Sequence, residues 1–172
     1  NLDGMLKIDT NVKEIEPYAF DNCNKLSGNL TIPDSVTSIG NNAFYKCSSF
    51  TTIVLGNKIE SIGQYAFYGC TKLSGSLKVP NSAINIGDYS FFSLGFIDIT
   101  LGEKLDSIGQ YAFANCNKIK CELNIPDSLK SIGDFSFCNC SLISSLNFGQ
   151  NLESIGNSAF LNCLNLAGDL IF

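Results

Sequence analysis

The eight cysteines carry the most reactive side chains of this chain, and their spacing decides what they could do. Six of them, Cys23, Cys47, Cys70, Cys116, Cys140 and Cys163, each stand three residues after a phenylalanine, and Leu94 fills the remaining place in that column. A site that accepts leucine is a core site. Side chains stacked in one column point the same way about 4.8 Å apart, whereas a disulfide needs converging Cβ atoms about 3.8 Å apart. Free, buried, hydrophobic thiols are the reading that follows. Zinc would need ligands converging from two directions, and the chain has no histidine. The same lack leaves a Ser or Cys nucleophile without its usual base. No glycine-rich phosphate loop occurs, and the carboxylate pairs Glu14/Glu16 and Glu103/Asp106 fall on corners expected to be solvated. No catalytic residue, metal or cofactor is therefore assigned, and the chain reads as non-enzymatic. Two cysteines break the column. Cys121 takes the place of Gly28, Gly75 and Gly168, and Cys138 that of Tyr45, Tyr68, Phe92, Ala114 and Leu161, so both are expected to be partly exposed.

The phenylalanines that time the cysteines are themselves periodic. Phe20, Phe44, Phe67, Phe91, Phe113, Phe137 and Phe160 stand 24, 23, 24, 22, 24 and 23 residues apart. A unit this short cannot bury its own apolar face and becomes stable only when neighbours stack on it, so the chain is a solenoid. Five residues before each phenylalanine stands an isoleucine: Ile15, Ile39, Ile62, Ile86, Ile108, Ile132 and Ile155. A small residue precedes each ring, and six residues after it comes Leu26, Phe50, Leu73, Ile97, Ile119, Ile143 or Leu166. All are read as core columns.

Further on runs an alternating apolar pair: Leu30/Ile32, Ile53/Leu55, Leu77/Val79, Ile99/Leu101, Leu123/Ile125, Leu146/Phe148 and Leu170/Phe172, with Leu6/Ile8 as a leading copy. Period two over a short stretch predicts a strand. Stacked in register these strands would form one parallel sheet, on the order of 34 Å long at about 4.8 Å per step. The segment from isoleucine to cysteine, as in Ile62 to Cys70, spaces apolar residues at i, i+4, i+5 and i+8 and predicts a short helical turn behind the sheet. The strands end alternately in Pro33, Gly56, Pro80, Gly102, Pro126 and Gly149. Proline removes a donor where the ladder stops, and glycine would admit a turn of positive φ. A second glycine column, Gly40 to Gly156, follows the isoleucines and suggests a tight bend. The Pro/Gly alternation also marks a superperiod, Phe20 to Phe67 to Phe113 to Phe160, of 47, 46 and 47 residues.

The stretch Ile32-Pro-Asp-Ser-Val-Thr-Ser-Ile-Gly-Asn-Asn-Ala-Phe-Tyr-Lys-Cys47 resembles the BspA-like leucine-rich repeat, and the resemblance covers nearly the whole chain. Its weakest unit is Ala83 to Ile97, where Ala83 replaces a larger aliphatic residue and Leu94 replaces cysteine. The resemblance implies an α/β solenoid: a right-handed leucine-rich-repeat superhelix with a concave parallel β-sheet and short helical or irregular turns on the convex side. It also implies surface proteins of bacteria and parasitic protists engaged in adhesion and partner recognition, and hence a cell-surface or secreted location. Residues 1–172 are read as a single solenoid of about seven repeats of 22–24 residues, a fragment of a longer protein, because no polar capping unit is visible at either end.

The chain is 45% apolar with no run long enough to span a bilayer, and no signal peptide is visible. Sixteen acidic residues against eleven lysines, with no arginine, give a net charge of -5 and no basic stripe for nucleic acid. Protein partners remain. Residues between the buried strand positions must face outward. They form the row Lys7, Thr31, Val54, Lys78, Thr100, Asn124, Asn147 and Ile171 and, two residues earlier, the row Met5, Asn29, Thr52, Ser76, Asp98, Glu122, Ser145 and Asp169. These rows vary while the core columns do not, as either a recognition surface or unconstrained solvent positions would. An aromatic patch from Tyr45, Tyr65, Tyr68, Tyr89, Phe92 and Tyr111 is a second candidate surface, unless its rings stack on one another to seal the back of the solenoid. Two sequons, Asn29-Leu-Thr31 and Asn139-Cys-Ser141, would permit N-glycosylation in a secretory pathway. The leading reading is an adhesin-like module binding host or extracellular-matrix protein through the concave sheet. A structural spacer or self-assembling rod and an intracellular interaction scaffold stand as alternatives.

Overall fold

An isoleucine between a polar residue and a glycine is the element that repeats with least change, and it builds the longest sheet. The structure, a computed structural model of the chain, describes residues 4–167. Its strands in chain order are β1 (Glu14–Ile15), β2 (Ser27–Thr31), β3 (Ser38–Ile39), β4 (Ser49–Val54), β5 (Ser61–Ile62), β6 (Ser74–Lys78), β7 (Asn85–Ile86), β8 (Gly95–Thr100), β9 (Ser107–Ile108), β10 (Glu122–Asn124), β11 (Ser131–Ile132), β12 (Ser145–Asn147) and β13 (Ser154–Ile155). The odd-numbered strands form one seven-stranded parallel sheet with their isoleucines in register. The ladder continues one residue upstream, where Glu60 N–H donates to the Thr37 carbonyl and Ile84 N–H to that of Glu60, both at 2.8 Å. The glycine that follows six of the seven isoleucines, Ile15 being followed by Glu16, answers to space. A Cβ on Gly63 would lie 2.6 Å from Asn41 N, and one on Gly87 2.6 Å from Gln64 N. None of these glycines has positive φ, and the missing side chain lets neighbouring backbones close up.

The segments expected to be helical turns contain no helix among the described residues. The positions two before and two after each phenylalanine adopt the left-handed conformation, as in Tyr65 (φ 55°) and Gly69 (φ 77°) or Tyr111 (φ 54°) and Asn115 (φ 61°). A helix needs an unbroken run of negative φ, so these residues divide the segment into successive turns. The backbone donors divide in the same way. Ala43, Tyr45 and Cys47 N–H groups donate to carbonyls three residues back, while those of Asn42, Phe44 and Lys46 donate to Gln64, Ala66 and Tyr68 of the next unit at 2.7–2.8 Å. Every buried donor needs an acceptor, and this alternation supplies one without a helix.

The longer, even-numbered strands also depart from expectation. β2 pairs with β4, β6 with β8 and β10 with β12, all parallel, and no ladder joins β4 to β6 or β8 to β10. The single long sheet is thus three separate pairs. In units ending in proline the strand's buried aliphatic residue stands ten positions after the phenylalanine (Phe20 to Leu30, Phe67 to Leu77), and in units ending in glycine nine or eight (Phe44 to Ile53, Phe91 to Ile99). The unequal arcs force register shifts at Gly28/Asn29 and Gly75/Ser76. Within a pair the glycine corner closes on the proline corner: a Cβ on Gly56 would strike the Pro33 carbonyl, and those on Gly102 and Gly149 would strike the Pro80 and Pro126 carbonyls. These glycines therefore serve close approach, not the positive φ expected of them.

The phenylalanine rings form the spine between the two faces. Their centroids stack 5.1–5.4 Å apart from Phe20 to Phe160, and Phe44, Phe67, Phe91, Phe113 and Phe137 are fully buried. Ile97 is a correction. It is 54% exposed, and its neighbour Phe96 is buried edge-on against Phe91, as Phe50 is against Phe44. The 22-residue spacing that follows Phe91 shifts the strand entry by one position. Cys138 is buried rather than partly exposed, while Cys121 is half-buried as its position suggested. Ile155 is exposed and Phe20, Phe160 and Leu166 half-buried, because each column is covered by the unit beyond it. Leu6 and Ile8 pack half-buried without forming a strand. The expected strand Leu170/Phe172, Gly168 and the row positions Asp169 and Ile171 lie outside the described residues.

Candidate functional site

The even-numbered strands hold their outward residues in register. Asn29 lies beside Thr52, Thr31 beside Val54, Ser76 beside Asp98, Lys78 beside Thr100, Glu122 beside Ser145 and Asn124 beside Asn147. Asp98 and Ser145 are half-buried and the other ten are exposed. Asn29 is tied down, since its Oδ1 accepts from Thr52 Oγ1 at 2.8 Å and from Thr51 Oγ1 at 3.4 Å. Asn147 Nδ2 donates to Asn124 Oδ1 at 2.8 Å. Charge is unevenly placed: Lys78 stands in the middle of the face, and the carboxylates of Asp98 and Glu122 follow it along the axis.

A cleft of about 480 Å³ runs across the face from β2 over β4 to β6. Thr31, Val54, Ser76 and Lys78 line it from the strands, and Pro33, Asp34, Gly56, Asn57 and Pro80 close it at the corner. Val54 is 57% exposed and gives the cleft an apolar wall. The Asp34 carboxylate already accepts the Asn57 N–H at 2.7 Å. Four cleft residues come from the sequence-derived rows. The five corner residues were not foreseen, although the Pro/Gly superperiod was the signal that neighbouring strands are not equivalent.

The aromatic positions form two files. Tyr65, Tyr89, Tyr111 and Phe135 stack at centroid distances of 4.9, 4.7 and 4.8 Å, and Tyr45, Tyr68 and Phe92 at 5.4 Å. The rings stack face to face along each file, and Tyr45, Tyr65, Tyr68, Tyr89, Phe92 and Tyr111 are all half-buried. Partial burial, reinforced by Tyr111 and Tyr65, pushes the Tyr89 phenol above its ordinary range. Tyr18 stands apart, because Asn42 interrupts the column and leaves it 61% exposed.

All eight cysteines are free. The buried thiols hydrogen-bond backward by one unit: Cys47 Sγ donates to the Phe20 carbonyl, Cys70 to Phe44, Cys116 to Phe91, Cys140 to Phe113 and Cys163 to Phe137, at 3.0–3.2 Å. Burial pushes the Cys47 and Cys116 thiols up to about 12 and Cys163 up to about 11, with Cys70 and Cys140 raised further. Such thiols are poor nucleophiles and poor metal ligands. No group of three or more Cys, Asp or Glu side chains is arranged to hold a metal among the described residues. Asn139, in the second sequon, is half-buried in an amide ladder, donating to Asn115 and accepting from Asn162. No helix among the described residues is long and apolar enough to cross a membrane.

The model of the BspA type leucine rich repeat region matches residues 4–120 and 74–168, in six copies. The leucine rich repeat protein of T. pallidum superposes with a TM-score of 0.80 at 31% identity, covering 91% of this chain and 72% of that one. A leucine rich cell surface protein from Faecalibacterium prausnitzii is 18% identical over 96% of this chain and 68% of its own, with a TM-score of 0.46. No curated protein matches the chain. Leucine-rich repeats generally serve as protein-interaction modules, and the paired strands, the stacked phenylalanines and the matched repeats together make this chain a member of the BspA-type leucine-rich-repeat family.

Proposed function

We propose that this chain is a non-enzymatic recognition module of a surface protein, binding host or extracellular-matrix protein in the manner of an adhesin through the face of the even-numbered strands. The observation that carries the reading is the contrast on that face between a repeated backbone and varied side chains, cut by a cleft whose strand-side walls are Thr31, Val54, Ser76 and Lys78. A single module of this kind binds through a few central anchors surrounded by polar groups. Val54 is the apolar anchor, and the Thr, Ser and Asn side chains supply a wet, hydrogen-bonding rim. The surface location rests on the resemblance of the repeats to those of BspA-type surface proteins.

The test is binding of the chain to a panel of extracellular-matrix and cell-surface proteins, beside a variant with Thr52, Val54, Ser76 and Lys78 all replaced by alanine. A hit that the variant loses supports recognition through this face. A hit that the variant keeps moves the contact elsewhere on the solenoid, and no hit for either chain favours a spacer or rod.

A further inference from the structure

The cleft over β2, β4 and β6 has a chemical polarity of its own, and it narrows the kind of partner the proposed module would take. Of its two charged side chains, Asp34 is occupied by the Asn57 N–H at 2.7 Å. Lys78 is exposed and forms no ion pair among the described residues, where the ion pair recorded is Lys130 with Asp106. Along the strand pair of Lys78 the carboxylate beside it is Asp98, half-buried and in register with Ser76 rather than with Lys78. The opening thus offers one uncommitted cation beside an apolar wall, Val54, within a chain of net charge -5. Hydroxyls from Thr31 and Ser76 stand next to both.

We infer that the cleft takes an extended protein segment presenting an aliphatic side chain beside a carboxylate: the aliphatic group against Val54, the carboxylate to Lys78 Nζ. The inference rests on the recognition reading above and specifies the partner's chemistry. Electrostatic complementarity of this kind governs encounter and selection against wrong partners more than raw affinity. Lys78 disfavours a basic side chain beside it, while the Asp34 carboxylate at the corner, charged although it accepts the Asn57 N–H, and Asp98 and Glu122 farther along the face disfavour an acid elsewhere. The partner's acid is thereby directed to one place.

The experiment uses two sets of fluorescent twelve-residue peptides, one with a central leucine flanked by aspartates and one with the same leucine flanked by lysines. The whole chain is titrated into each at low and at high salt. The expected result is binding of the acidic set alone, weakened by salt, and weakened about tenfold or more by Lys78→Glu. Lys7→Glu, in the same row outside the cleft, leaves it unchanged. Circular dichroism of each variant separates lost binding from lost folding. Equal binding of both sets, binding of neither, or acidic binding that survives Lys78→Glu would overturn the inference. A matrix protein that the four-residue alanine variant no longer captures but Lys78→Glu still does would leave recognition through this face standing while removing the charge assignment.

Discussion

The isoleucine strands and the longer strands are cut from the same repeats, yet the first join in one seven-stranded ladder and the second in three separate pairs. On the isoleucine side every unit after the first, which has Glu16 in the glycine's place, contributes the same short sentence, a polar residue, Ile and Gly, and the missing Cβ allows each backbone to rest on the one before. On the other side the units alternate between proline and glycine corners and between longer and shorter arcs, so close approach within a pair is followed by a gap. The lesson is that regularity and openness are allotted to different faces. The regular face fixes the pitch, and the irregular one gains a cleft because the pitch no longer depends on it.

The largest expected effect breaks the regular half from within. Cys70, Cys116 and Cys140 are buried neutral thiols raised well above their ordinary value of 9.0. In the unfolded chain they ionise above about pH 9, while the folded chain keeps them protonated. Their stabilising contribution is therefore complete below pH 9 and is lost as pH rises toward the folded values. The loss amounts to about 1.4 kcal/mol per thiol for each pH unit in that window. Urea midpoints should fall steeply between pH 9 and 11, and a Cys70→Leu, Cys140→Leu variant should fall less steeply, leucine being the residue Leu94 already places in that column. A midpoint independent of pH in both would remove the thiols from the account. Next in size is Phe67→Ala, which takes one ring from the stack between Phe44 and Phe91 and should cost about 3–5 kcal/mol. An unchanged midpoint there would contradict a continuous core.

Much of this was legible in the sequence. The phenylalanine, isoleucine and cysteine columns gave the solenoid, the stacked core and the outward rows, because burial repeats with the unit and side-chain alternation follows from any short strand. The turn segments were misread because apolar spacing reports which residues go inward and is silent on the sign of φ. Tyr65 and Tyr111 satisfy a helical pattern and sit in left-handed turns. Ile97 was misplaced for a related reason: counting from Phe91 assumes a constant arc, and this unit is the shortest. The cleft was the least legible feature. It runs over three successive units and is closed by Pro33, Gly56 and Pro80, so it depends on how their corners lie together in space, not on what any of them is alone.

Glycine substitutions sharpen the contrast between faces at smaller amplitude. Gly87→Ala would put a methyl group 2.6 Å from Gln64 N and Gly63 C, both backbone atoms that cannot turn aside. It should cost about 1–3 kcal/mol through displacement of one ladder step. Gly75→Ala meets nothing within 4 Å and is penalised only by its φ of +87°, for about 1 kcal/mol. Thermal midpoints of the two variants should therefore rank with Gly87→Ala the lower. The reverse order would mean that the isoleucine ladder is the softer of the two faces.

The smallest expected effect concerns the strand face itself. Thr100→Ala changes an exposed side chain in register with Lys78, and Val54→Ala trims one that is already 57% exposed. Neither touches the phenylalanine stack or the isoleucine ladder, so each should move stability by less than about 0.5 kcal/mol. That near-silence gives the comparison its functional content, since residues the fold does not need are free to be chosen by a partner. Val54→Ala should then reduce capture of whatever the module binds while leaving the urea midpoint in place, and Thr100→Ala, outside the cleft, should alter neither as much. A large loss of stability from Val54→Ala would show that the cleft wall supports the fold after all, and the division between a regular, structural face and an irregular, available one would fail at its most exposed apolar residue within the cleft.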